Sequence, residues 1–114
     1  MTKRVAFIVV LLGLLVSAAV AVSAENGAEN MLLNGGRRGK ISFPHRTHQD
    51  VLKDCNRCHD LFPQEPGVID KLKKTGGLKK KQVMNTRCVK CHKAIKKSGG
   101  AAGPTTCSKC HIRE

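Results

Sequence analysis

The chain has no tryptophan and no tyrosine, and only three phenylalanines among its 114 residues. Large aromatic side chains supply much of the buried area of a small domain, so a self-sufficient hydrophobic core is excluded. Other apolar residues are scarce too once their placement is considered. Residues 1–24 hold 18 of the AVILMFWYC set, and the other 90 residues hold 28, six of them cysteines. Carboxylates are also few, with 8 Asp and Glu against 21 Lys and Arg for a formal charge of +13. No paired carboxylates and no nucleophile–base pair stand out, which excludes an ordinary enzyme with a buried cleft. The length allows one domain. Chains this short and this poor in apolar residues fold with disulfides, metals or a cofactor.

One long apolar run is present, at the start. Lys3 and Arg4 precede Val5–Val16, interrupted only by Gly13, and small residues then lead to Val22-Ser23-Ala24 before Glu25-Asn26-Gly27. This is the three-part pattern of a secretory signal peptide over residues 1–24, with cleavage expected after Ala24. A retained anchor is the competing reading, since Val5–Val22 spans 18 residues and matches a short membrane span. The small-residue site favours removal, and no cysteine lies near it to carry a lipid. The expected product starts at Glu25 with 19 basic and 8 acidic residues, or +11. Export to the periplasm sets nucleic acid aside as a partner despite the basicity.

What the remainder does have is a repeated grammar of cysteine. Cys55-Asn56-Arg57-Cys58-His59, Cys88-Val89-Lys90-Cys91-His92 and Cys107-Ser108-Lys109-Cys110-His111 account for all six cysteines. C-x-x-C-H is the attachment sequence of c-type haem. Two thiols three residues apart lie on one side of a helical turn and form thioethers with one porphyrin, and the next histidine ligates its iron. A disulfide framework suits an exported chain but gives no reason for a histidine after every pair. A redox C-x-x-C is expected once, beside a βαβ pattern, and three pairs divide awkwardly into four-ligand zinc sites. The reading is three covalently bound haem c.

Three six-coordinate irons need six axial ligands. His59, His92 and His111 supply three, and the only other histidines are His45 and His48. At i and i+3 these share one face of a helix that Pro44 helps to start, from which they could reach two different haems. Methionine is the other usual haem ligand, and after removal of Met1 the candidates are Met31 and Met84. Met31 sits in an apolar Met31-Leu32-Leu33 triplet and reads as a core filler. Met84, four residues before Cys88, reads as a ligand, with gap filling as the alternative. Without it one haem would be five-coordinate and open to a small molecule.

Residues Gly39–His111 resemble the triheme cytochromes c7 of the cytochrome c3 superfamily. The resemblance rests on Phe43-Pro44-His45-x-x-His48, the three C-x-x-C-H sites and the apolar hairpin before them. It implies a small cofactor-dominated α+β fold, with a short N-terminal β-hairpin and a few short helices wrapped around three haems. It also implies pairing of His59 with His45 on haem 1 and of His92 with His48 on haem 2. His111 on haem 3 would take its partner from the position four before Cys88. Most of the family has histidine there; this chain has Met84, which implies His/Met ligation. The implied function is electron carriage in the periplasm, between inner-membrane quinol-oxidising cytochromes and outer-membrane conduits or extracellular Fe(III), by a protein that is not an enzyme. A small haem reductase or ligand sensor is the alternative.

Locally, residues 25–30 read as a flexible start and 31–114 as the haem domain. Met31–Leu33 and Lys40–Phe43 read as a hairpin around a Gly-rich turn. A helix is expected from His45 to Lys53 with Val51 and Leu52 buried, one helical turn near Val68–Lys73, and a helix over Cys88–Lys97. Lysines concentrate at 71–81 and 90–97. A basic face steers acidic redox partners, with Lys79, Lys80 and Lys81 placed to help. No membrane anchor is expected in the mature chain, which reads as a monomer.

Overall fold

The computed structural model describes residues 26–113; the expected leader and its cleavage site after Ala24 lie outside the described residues. Strand β1 (Met31–Leu33) pairs antiparallel with β2 (Lys40–Phe43), with Met31 opposite Phe43 and Leu33 opposite Ile41. A third strand, β3 (His111–Ile112), joins the far edge of β2, placing His111 opposite Ile41. Side chains alternate across a strand, so Met31, Leu33, Ile41, Phe43 and His111 share the half-buried face. Leu32 and Ile112 lie on the exposed one. The last attachment motif is thereby stitched onto the first hairpin.

Helix α1 (His45–Leu52) starts directly after Pro44, whose lack of an N–H costs nothing at a helix start. His45, His48, Gln49 and Leu52, at i, i+3, i+4 and i+7, are its half-buried residues. Val51, expected beside Leu52 on the buried side, is 70% exposed, because its position falls off that stripe. The helix closes at Lys53, which takes the left-handed conformation (φ 56°) and donates its N–H to the Gln49 carbonyl. The segment before β1, expected as a flexible start, is tied to α1 at three points. Gln49 Nε2 donates to the Asn26 carbonyl (2.6 Å), the Arg46 N–H donates to the Glu29 carbonyl (3.0 Å), and His45 Nδ1 pairs with the Ala28 carbonyl (3.0 Å).

A short α2 (Asn56–His59) carries the first motif. Helix α3 (Val68–Thr75) is longer than the single turn expected. It ends at Gly76, whose φ of 81° lets the chain fold back so that the Leu78 N–H reaches the Leu72 carbonyl. Val68 and Leu78 are the only buried apolar residues among those described. Two such side chains cannot offset the conformational entropy of an ordered domain, which matches the thin apolar composition.

Helix α4 (Val89–Lys97) follows without a break from a π turn, Met84–Cys88, in which the Val89 N–H bonds the Met84 carbonyl five residues back. The expected helix over Cys88–Lys97 thus extends further toward the N-terminus, with a wider turn at its start. Gln82 and Val83 carry the helical conformation back before that turn. Helix α5 (Cys107–Cys110) holds the third motif and runs directly into β3. The result is a small α+β architecture of one three-stranded sheet and short helices.

Candidate functional site

Each attachment motif starts from a helical turn, as two thiols aimed at one porphyrin require. The second cysteine of each pair (Cys58, Cys91, Cys110) is half-buried and the first (Cys55, Cys88, Cys107) exposed, and all six are unpaired. Burial pushes the Cys58 thiol up, and Cys91 beside it adds to the rise. The Cys88 thiol is raised as well, first by the chain packed around it and then by Cys58. Cys88 is thus crowded on one side and open on the other. Cys110 of the third motif also contributes to the rise at Cys88, so all three motifs come together there.

The histidines are more informative. His45 Nδ1 pairs with the Ala28 carbonyl (3.0 Å), His48 Nδ1 with Pro44 (2.9 Å) and His59 Nδ1 with Phe62 (3.1 Å). His92 Nδ1 pairs with the Pro104 carbonyl (2.7 Å) and His111 Nδ1 with that of Gly39 (3.3 Å). A carbonyl only accepts, so each Nδ1 is the protonated nitrogen and each Nε2 is left as a lone-pair donor for metal. This is the outer-shell arrangement of metal-bound imidazole, which fixes the tautomer and raises ligand basicity.

Ring positions pair the helix α1 histidines with two motif histidines. The His45 and His59 ring centres are 6.4 Å apart at 79°, and those of His48 and His92 are 6.2 Å apart at 30°. Two imidazoles trans on one iron have centres about 6.4 Å apart, from about 2.0 Å per metal–nitrogen bond and about 1.2 Å from nitrogen to ring centre. Both pairs fit that span. Phe43 packs on His48 (4.4 Å) and His45 (5.9 Å), and Phe62 on His59 (5.2 Å). Both phenylalanines of the described chain therefore wall ligand candidates.

Glycine seats two of the rings. A Cβ at Gly103 would lie 2.6 Å from His92 Cε1, and one at Gly35 would collide with the Gly39 carbonyl and the His111 ring. At Gly35 the clash is with backbone, so only glycine fits, whereas at Gly103 it is with the His92 ring alone, which a larger residue would displace. Neither the seats nor the carbonyl partners follow from motif spacing, since Gly103 and Gly35 lie far along the chain from the rings they support or read simply as turn formers.

Met84 is half-buried at the first position of the π turn, and His111 stands on β3, a separate element. Met31 lies on the inner sheet face, and its methyl and the His45 ring both border the space beside Gly27. Arg87, just before Cys88, reaches Asp60, just after His59, in a 2.7 Å ion pair that ties the first two motifs together. No cluster of three or more His, Cys, Asp or Glu side chains among the described residues forms a bare metal-ion site.

Comparison with known proteins identifies the family. Residues 41–112 match the family described as cytochrome c7 and related cytochrome c. The chain is 36% identical over 75 residues to a cytochrome c7 of Geobacter metallireducens, covering 66% of this chain and 67% of that protein. It is 25% identical over 92 residues to the 26 kDa cytochrome c3 of Desulfomicrobium norvegicum, covering 68% and 81%. The solution structure of triheme cytochrome PpcA from Geobacter sulfurreducens aligns with a TM-score of 0.54 at 29% identity, covering 75% of this chain and 100% of that one. PpcB, a cytochrome c7 of the same organism, aligns at 0.51 and 30% with the same coverage. The chain belongs to the cytochrome c7 family, and its three C-x-x-C-H sites bind three haem c.

Proposed function

We propose that this cytochrome is a soluble periplasmic electron carrier and not an enzyme. It takes electrons from inner-membrane quinol oxidation and delivers them to outer-membrane conduits or extracellular acceptors such as Fe(III). In this reading residues 1–24 are removed after Ala24 and residues 31–114 form the haem domain. Cys55/Cys58, Cys88/Cys91 and Cys107/Cys110 carry the thioethers. His59 with His45, His92 with His48, and His111 with Met84 are the axial pairs.

The observation that carries the reading is the shared Nδ1–carbonyl bond of all five histidines. Bound at these sites, each haem supplies a one-electron iron couple whose potential the axial ligands and their outer shell set. The residues do the rest. Backbone carbonyls hold five imidazoles in one tautomer, the two phenylalanines pack against three of the rings, and short helices keep the sites adjacent. No helix among the described residues is long and apolar enough to cross a membrane.

Lys71, Lys74, Lys79, Lys80, Lys81, Lys90, Lys93, Lys96 and Lys97 are all exposed. Exposed positive charge of this density speeds encounter with acidic partners and loses that effect as salt rises. The test is electron transfer to an acidic redox protein by stopped flow across ionic strength. The reading expects rates that fall steeply with salt, and a shallower slope when Lys79, Lys80 and Lys81 are replaced by glutamine. A salt-independent rate contradicts the docking role. Carbon monoxide binding by the fully reduced protein would contradict complete six-coordination.

A further inference from the structure

The third attachment site borders a cavity that also holds two arginines. A cavity of ≈ 430 Å³ is lined by Cys107 and His111 of the motif together with Ser108, Arg38 and Arg113. Its two guanidiniums come from segments far apart in the chain, the turn before β2 and the residue after β3. The turn that brings Arg38 there is built for the purpose. Asn34 Oδ1 accepts the Gly36 N–H (2.9 Å), and Gly36–Arg38 winds into one 3-10 turn. Gly39 then adopts a φ of 97°, and a Cβ on it would strike the Ile112 carbonyl. That close approach lets β3 lie against β2 and lets the Gly39 carbonyl receive His111 Nδ1. Gly35 clears room for the same ring. The Asn34–Gly39 segment is thus the seat of His111, and the residue it projects into the cavity is Arg38, whereas Arg37 does not line it. Arg113 follows directly on β3, two residues past His111.

We propose that Arg38 and Arg113 form the carboxylate-binding rim of the third haem site, holding the propionates of the haem seated there. Through their charge they raise that haem's potential above the value its axial ligands alone would give. Guanidinium matches a carboxylate with paired N–H donors at a fixed geometry. A fixed positive charge beside an iron couple favours the reduced state, which carries one positive charge fewer. The proposal rests on the reading that Cys107, Cys110 and His111 carry the third haem, and is independent of whether Met84 completes it.

The experiment is a redox titration of the purified triheme protein followed by two-dimensional NMR. Each potential is assigned to its haem through contacts with His59, His92 or His111. Arg38→Gln and Arg113→Gln should each lower the potential of the His111 haem, and the double variant should lower it further. Arg38→Lys, which keeps the charge, should recover most of the shift. Arg37→Gln removes the same charge one residue away and should move that potential distinctly less. All three positions are exposed, and haem content of three per chain checks that assembly is intact. An unchanged His111-haem potential in the double variant overturns the proposal. So does an Arg37→Gln effect equal to that of Arg38→Gln, or a larger shift on another haem. A potential that holds while only the rate with an anionic acceptor changes would assign these arginines to external docking instead, which also overturns it. Failure of Met84 ligation would be read separately, from the Met–iron spectrum of the wild-type protein.

Discussion

Replacing Gly103 with alanine tests whether the outer shell of a haem ligand sets its potential. Gly103 is not among the glycines with positive φ, so alanine can adopt its backbone and the only obstacle is the His92 ring. The added Cβ would lie 2.6 Å from Cε1, 3.1 Å from Nε2 and 3.2 Å from Nδ1, where ordinary contact begins at 3.4 Å. The ring must retreat about 0.8 Å, and because Pro104 is the next residue, it retreats from that carbonyl too. A bond of 2.7 Å would open toward about 3.5 Å, beyond hydrogen-bond range. A net hydrogen bond is worth about 1 kcal/mol, and about 1 kcal/mol acting on one oxidation state corresponds to roughly 40 mV for a one-electron couple. The carbonyl makes the imidazole a stronger donor and so favours Fe(III); its loss raises the potential. The expected outcome is an upward shift of up to about 40 mV on the His92 haem alone, with three haems retained. Haem-resolved NMR titration reads it. An unchanged His92-haem potential, or equal shifts on all three haems, would show that the Pro104 carbonyl does not tune this haem.

Met84→His should lower the potential of one haem and abolish any methionine–iron charge-transfer absorption, leaving the other two haems nearly unmoved; visible and near-infrared spectra with a redox titration check it. The ring angles of 79° for His45/His59 and 30° for His48/His92 predict two distinct bis-histidine low-spin EPR signals, the near-perpendicular pair giving the more anisotropic one. His45→Ala and His48→Ala should each remove only its own signal. The Arg87–Asp60 pair has side chains 22% and 57% exposed, so solvent screens it and a double-mutant cycle with Arg87→Gln and Asp60→Asn should give a coupling of at most about 1 kcal/mol. Thermal unfolding at low and high salt measures it, and zero coupling at low salt would mean that the pair does not hold the first two motifs together.

Much of this was legible in the residues because it is local. The C-x-x-C-H triplets declare their cofactor by spacing, and the hairpin strands follow from apolar runs flanking a Gly-rich turn. Pro44 marks the start of α1. What was not legible depends on chain segments meeting from a distance. Strand β3 forms only because Gly39 lets Ile112 approach, so the final motif gives no strand signal of its own. The exposure of Val51 reflects a face chosen by His45, His48 and Gln49, polar residues that an apolar-periodicity reading passes over. The π turn at Met84–Cys88 adds a wide turn where helical periodicity suggests an ordinary one, and such turns recur at functional positions. The carbonyl partners of the histidines belong to backbone, which carries no sequence signature.

The proposed ligand set of five histidines and one methionine on three irons is open to spectroscopy. Near-infrared magnetic circular dichroism of the fully oxidised protein reads axial ligation directly. That ligand set predicts two low-spin haems with bis-histidine signatures and one with a histidine/methionine signature. A high-spin, five-coordinate component, or a spectrum without any methionine–iron band, would contradict it.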